Sequence, residues 1–330
     1  MGVPGVTGFG GAFRAGFHCL GQREFCPHCF AEHPSRMDCY KLDCRIGLGA
    51  EIAGNRKFRS VTGAAGHMRK VTAAVFLFAL IIPTSASVAL TDEIQVYTGD
   101  IAAPGVFNLT LHSNYTPDGL TVPDFPGGLA DNHSYSGVAE WAYGVTPWFE
   151  AGLYMPLYAI SSNHGGQLNG WKLRALFVNP DNASSDFYYG VNFEFSVNAR
   201  HWDEERYTGE IRPIIGYHFG AVSLTVNPII DNSYKGFAAL DFAPATRLDY
   251  ALSKQWAIAL EEYDDFGELR GFLPARQQSH QLFLVADYTG PVSVEGGIGF
   301  GLTDATDKLT VKLILTSDLN GPDGLFTRRL

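Results

Sequence analysis

The chain has 330 residues, of which 46% are hydrophobic and 18% charged, and its net charge is -10. That much apolar side chain excludes a disordered chain. The charged fraction is below the soluble average of about a quarter, and the acidic balance excludes a general nucleic-acid binder, whose footprint is basic.

The charges and cysteines are unevenly spread. Cys19, Cys26, Cys29, Cys39 and Cys44 all precede residue 45. Residues 1–67 carry 8 Lys/Arg against 5 Asp/Glu, residues 68–89 carry only Arg69 and Lys70, and residues 90–330 carry 14 against 29. The middle piece opens Met68-Arg69-Lys70, continues as an apolar run from Val71 to Ile82 and ends Thr84-Ser85-Ala86-Ser87-Val88-Ala89. A basic start, a short apolar run and a small-residue exit make 68–89 a secretory signal peptide. About a dozen apolar residues fall short of the roughly 20 that a spanning helix needs. A signal at residue 68 predicts that Met68 is the true start and that 1–67 is a mis-extended reading frame, disordered or not translated. The competing reading of 1–67 is a zinc module, with the knuckle Cys26-Pro27-His28-Cys29 completed by Cys39 and Cys44. The wider second spacing and the export signal behind it oppose that reading, and no metal or cofactor is expected.

From residue 90 onward the pattern is alternation with period two, the mark of strands with two unlike faces. It recurs over 107–115, 134–145, 149–157, 171–177, 187–200, 206–219, 221–230, 238–250, 255–263, 279–289, 291–301 and 308–316. In 187–200, Phe187, Tyr189, Val191, Phe193, Phe195 and Val197 share one face, while Tyr188, Gly190, Asn192, Glu194, Ser196 and Asn198 share the other. Segments of this length suit a tilted crossing of hydrocarbon. Lipid offers no water to backbone groups, so crossing strands must close on themselves. The expectation is all-β: a closed antiparallel transmembrane β-barrel of about 12 strands, up-and-down, over 90–319, with a tail at 320–330.

The connections agree. With strand 1 starting in the periplasm, the outer connections are mostly long and the inner ones mostly short, as in outer-membrane barrels. Trp141, Tyr143, Trp148, Phe187, Tyr189, Tyr250, Trp256 and Tyr288 fall near segment ends on the apolar face, where interfacial girdles belong.

These features resemble the Gram-negative outer-membrane β-barrels. Asp92–Tyr115, Glu140–Tyr158 and Glu210–Pro228 are further similar to uncharacterised proteobacterial barrels related to transporters encoded with phenol-degradation pathways. The resemblance implies Sec export to the outer membrane, contact with its lipids and the barrel-assembly machinery, and a channel or transporter for small solutes, aromatic ones included. It implies no enzyme and no nucleic-acid partner. One departure is the end of the chain. Such barrels usually finish on an aromatic residue, whereas here Ser317-Asp318-Leu319 runs on to Arg329-Leu330.

The polar phase places Glu140, Glu150, Lys172, Arg174, Glu194, Glu210, Arg212, Asp241, Arg247, Asp249, Glu261, Asp287, Glu295 and Lys312 in the lumen. Opposite charges on neighbouring strands attract and can form a constriction that selects solutes. Glu150, Lys172, Arg174, Glu194, Glu210, Arg212 and Arg247 are its candidate residues. Twelve strands lie between filled and open barrels, so a narrow or plugged lumen is expected, with the long loop holding Asp118, Asp124 and Asp131 as the plug. The acidic runs Asp203-Glu204-Glu205 and Glu261-Glu262-Tyr263-Asp264-Asp265 are candidate calcium rims. The alternatives are a lipase-like barrel enzyme, drawing on Ser279/His280, His112/Ser113 or His218/Ser196, and a soluble β-sandwich or lipocalin-like binder with its apolar face inside.

Overall fold

The computed structural model describes residues 91–321. The expected extension 1–67, the signal peptide 68–89 and all but the first two residues of the tail lie outside the described residues.

The strands are β1 (Phe107–Asp118), β2 (Ser134–Thr146), β3 (Phe149–Ser161), β4 (Gly165–Val178), β5 (Phe187–Asn198), β6 (Tyr207–Phe219), β7 (Val222–Asn227), β8 (Ile230–Asn232), β9 (Leu240–Phe242), β10 (Ala245–Ala251), β11 (Trp256–Asp265), β12 (Ser279–Tyr288), β13 (Ser293–Gly301) and β14 (Leu309–Asp318). β7 and β8 are halves of one crossing broken at Pro228, and β9 and β10 are halves of another broken at Pro244. Proline has no N–H to give the ladder, so a strand breaks where it sits. The result is twelve antiparallel crossings. β1 pairs with β14, with Leu111 opposite Leu315, and the ring is closed.

The faces fall as alternation predicts. Phe193, Leu224 and Leu313 point outward and are 42%, 39% and 41% exposed, while Glu194 and Arg212 are buried inside. An apolar exterior around a polar interior is the reverse of a soluble sandwich or lipocalin, and that alternative is overturned. Aromatic side chains ring the short-turn end. Phe107 and Tyr143 lie 4.5 Å apart, Phe149 and Phe177 4.8 Å, and Trp256 and Tyr288 5.1 Å. The connections at that end are 147–148, 179–186, 220–221, 252–255 and 289–292. Those at the other end are 119–133, 162–164, 199–206, 233–239, 266–278 and 302–308.

One face assignment needs correction. Strict alternation through β3 puts Leu157 outside with Met155, but Leu157 is fully buried and Met155 is exposed. A bulge at Met155–Pro156 breaks the pairing with both neighbours, so the phase reverses and Leu157 and Ala159 turn inward. The Met155 carbonyl thereby loses its ladder partner on the lipid side. Trp141 Nε1 donates to it at 3.0 Å, which satisfies both groups where water cannot.

Glycines seat large inward side chains. A Cβ on Gly216 would lie 2.0 Å from the Tyr188 ring, and one on Gly299 would lie 2.3 Å from the Phe283 ring. The glycine-rich stretch Gly296–Gly301 is therefore wall material beneath inner side chains.

Two outcomes follow for unfolding in lipid vesicles, followed by denaturant titration. Leu313→Arg costs about 2–4 kcal/mol, the price of a charge on the lipid face. Trp141→Phe costs on the order of 1 kcal/mol or more, because the Met155 carbonyl is left unsatisfied.

Candidate functional site

Residues 91–105 run down the inside of the barrel before β1 begins. The segment is irregular, so its backbone needs partners from the wall. Asn114 Nδ2 donates to the carbonyls of Thr91 (3.1 Å) and Asp92 (3.2 Å), and Ser136 Oγ to Thr91 (3.0 Å). Lys312 Nζ donates to the Ile94 carbonyl at 3.1 Å, and Arg212 to that of Gln95 at 3.0 Å. Asn227 clamps Tyr97 as a strand would: Tyr97 N donates to Oδ1 at 2.7 Å and Nδ2 donates to the Tyr97 carbonyl at 3.0 Å. Lower down, Ala102 N donates to Glu150. Gly105, at φ 83°, turns the chain into β1.

Apolar sockets hold the same segment. Ile94 packs on Ala259, Phe283 and Val285, and Val96 on Ile229 and Ala245. Tyr97 packs on Leu176, Val178, Tyr188 and Ile214. Its ring lies over the guanidinium groups of Arg212 (4.5 Å) and Arg174 (5.6 Å), and its hydroxyl meets that of Tyr154.

The charged wall residues form two groups. On β2–β6, Arg174 binds Glu150 and, at 2.8 Å, Glu140, whose other oxygen meets His112 Nε2 at 3.2 Å. Lys172 reaches Asp92 at 2.8 Å and Glu194 at 3.6 Å. Arg212 takes Glu210 with two nitrogens, at 2.6 and 2.9 Å, and stands 3.6 Å from Glu93. Six of the seven candidate residues therefore surround the inner segment. Arg247 is the seventh and stands across the ring, bound to Glu261, Asp287 and Glu295, where Lys312 also binds Glu261 and Glu295. Buried charges left unpaired would be costly, which is why each cation meets more than one carboxylate. Glu194 and Arg212 on neighbouring strands form no direct ion pair, because Arg212 turns to Glu210 on its own strand.

Below the segment, towards the short-turn end, lies a cavity of about 780 Å³. At the other end the 119–133 loop covers part of the mouth. Leu129 packs on Ala159 and Trp202, and Asn163 bonds the backbone of Gly128 (2.9 Å) and Ala130 (3.1 Å). The loop expected to plug the barrel is thus a partial cover, and the deep filling comes from 91–105. The reason is position: the chain before β1 already stands at the mouth of the lumen and carries apolar side chains that fit the wall.

The segment's Asp92, Glu93 and Tyr97, with Asn227 and Tyr154 on the wall, escaped the sequence reading, and His112 entered it only beside Ser113. A signal was present. Leu176, Tyr188, Ile214 and Phe283 are large apolar groups on an otherwise polar face, and such exceptions mark an internal partner.

The lipase-like pairs do not assemble. Ser279 is buried against Thr306 at 3.2 Å, while His280 meets Asp264 at 2.5 Å and Gln278 at 3.3 Å. His218 meets Ser223 at 2.7 Å rather than Ser196. Glu261 lies inside the lumen rather than on a rim. Among the described residues no group of three or more His, Cys, Asp or Glu is placed to hold a metal.

No protein-family signature matches the chain and no curated protein matches it. Among solved structures it is similar to the COG4313 outer membrane channel from Pseudomonas putida F1, at 13% identity over 68% of this chain and 100% of that one, with a TM-score of 0.45. It is also similar to the translocator domain of autotransporter NalP from Neisseria meningitidis (11%, 66% and 90%, TM-score 0.37) and to LpxR from Salmonella typhimurium (9%, 64% and 99%, TM-score 0.35). None of these likenesses reaches a TM-score of 0.5.

The mouth titrates. Burial, then Asp307 and Asp124, push the Asp131 carboxyl from 3.8 up to about 9. A carboxyl that holds its proton more tightly when folded favours the folded loop at low pH, and that advantage is lost as pH rises from about 4 towards 9. With a protease active across the range, the 119–133 loop is cut several-fold faster near pH 8.5 than near pH 5 in the wild type. Asp131→Asn removes the difference.

Proposed function

We propose that the chain forms an outer-membrane channel for small solutes, closed at rest by residues 91–105. The apolar exterior, the polar closed interior and the expected export signal support the location. One observation carries the closure: an irregular segment inside the barrel whose backbone is bonded by wall side chains from six different strands, β1, β2, β3, β6, β7 and β14. Irregular backbone is tolerated at membrane depth when protein surrounds it. It is also separable from the wall, because the ring closes without it.

Lys172, Arg174 and Arg212 form the constriction in this reading. They hold Asp92, Glu93 and the Tyr97 ring, and with Glu150, Glu194 and Glu210 they shape what remains of the passage. Solutes pass when the segment shifts within the lumen or leaves it. The resemblance to barrels related to phenol-pathway transporters adds aromatic compounds to the solutes considered.

Planar-bilayer recording tests the reading. A variant lacking residues 91–103 conducts several-fold more than the wild type while keeping heat-modifiable gel migration. Lys172→Glu sets a carboxylate against Asp92 and gives frequent brief openings. If neither wild type nor the shortened variant conducts, the channel reading is wrong.

A further inference from the structure

The cavity below the segment is lined by seven carboxylates, including Asp100, Asp249, Asp287, Glu295 and Asp318, and by two cationic side chains, Arg174 and Arg247. The exposed part of the lining is more one-sided still. The Arg247 side chain is only 8% exposed beneath its partners, whereas Asp249, Asp287 and Glu295 are 21%, 19% and 17% exposed. The guanidinium is sunk in the wall and its carboxylates face the passage. The segment 91–105, which supplies Asp100 to that lining, also carries Asp92 and Glu93 and no basic residue.

A second observation is independent of this charge balance. Glu93 is 2% exposed at its side chain, and neither of its oxygens receives a hydrogen bond. Asn192 Oδ1 is also buried without a hydrogen bond, whereas Asp92 is already met by Lys172. Asn192 donates to Glu194, which has Glu93 as an electrostatic neighbour. Arg174 Nε and His112 Nδ1, on the same wall, also lack a hydrogen bond, so the charged orphan among these atoms that calls for a donor is the Glu93 carboxylate. Leaving it unmet costs free energy, and a species rich in N–H donors and carrying positive charge would satisfy it.

We propose that the channel selects cations, and that its preferred organic solutes are small ammonium compounds, drawn through the acidic cavity and met by the acceptors around Glu93. This rests on the channel reading above and names its solute class. Rings of carboxylates in a narrow, low-dielectric passage favour cations by raising their local concentration. Anions meet no free cationic face, because Arg247 and Arg174 are each held by two or more carboxylates.

The test is the reversal potential of the full chain in planar bilayers under a tenfold potassium chloride gradient, repeated with methylammonium chloride. Where the wild type is silent, the variant lacking 91–103 is read instead. The expected result is several-fold higher permeability for potassium than for chloride, with methylammonium at least as permeant as its size allows. The double variant Asp249→Asn, Asp318→Asn, made in whichever background conducts, lowers the permeability ratio at least twofold, while Asp304→Asn at the opposite mouth leaves it unchanged. Selectivity also fades near 1 M salt, where the screening length falls to about 3 Å. A reversal potential at zero or on the chloride side, or a double variant indistinguishable from its parent, overturns cation selection and leaves the channel standing. Absence of current from both wild type and shortened variant overturns the channel and this inference together.

Discussion

Backbone amides in hydrocarbon have no partner but each other, and the rest of this molecule follows from that constraint. It makes the sheet close through β1 and β14. It also explains the one local repair on the lipid side, where Trp141 donates to the carbonyl that the β3 bulge frees. A soluble barrel could leave that carbonyl to water.

Closing the sheet turns every second side chain inward, and those side chains are polar because the outer set has to be apolar. The interior therefore collects charge, and buried charge is stable only when paired and hydrogen-bonded. Arg174, Arg212, Arg247 and Lys312 each satisfy this with several carboxylates. The acids outnumber the bases along the cavity, so pairing leaves the interior acidic.

The inner segment uses the same wall in a different way. Irregular chain has no ladder of its own, so Asn114, Asn227, Arg212 and Lys312 bond its backbone. Ile94, Val96 and Tyr97 meanwhile fill apolar sockets that a polar-lined barrel would not otherwise have. Side-chain bonds and small sockets hold the segment without making it part of the sheet, and this separates it from a thirteenth strand.

Period-two alternation was enough to place all twelve crossings, their closure and the direction of side chains such as Phe193, Glu194 and Arg212, because a strand's faces are set by the residue count alone. Of the seven candidate lumen residues, six stand around the inner segment and Arg247 stands in the other charged group, a division that alternation does not give. Three things required the folded chain. Leu157 changed face because a bulge inserts residues that alternation cannot foresee. Arg212 chose Glu210 over Glu194 because partner choice among several nearby carboxylates depends on side-chain reach. Residues 91–105 became the filling because they have no periodicity to betray them, and the sockets that receive them are assembled from strands far apart in sequence. Local pattern determined the wall. Only tertiary structure decided what the wall encloses, since an interior is made of contacts between residues whose separation along the chain carries no information about their meeting.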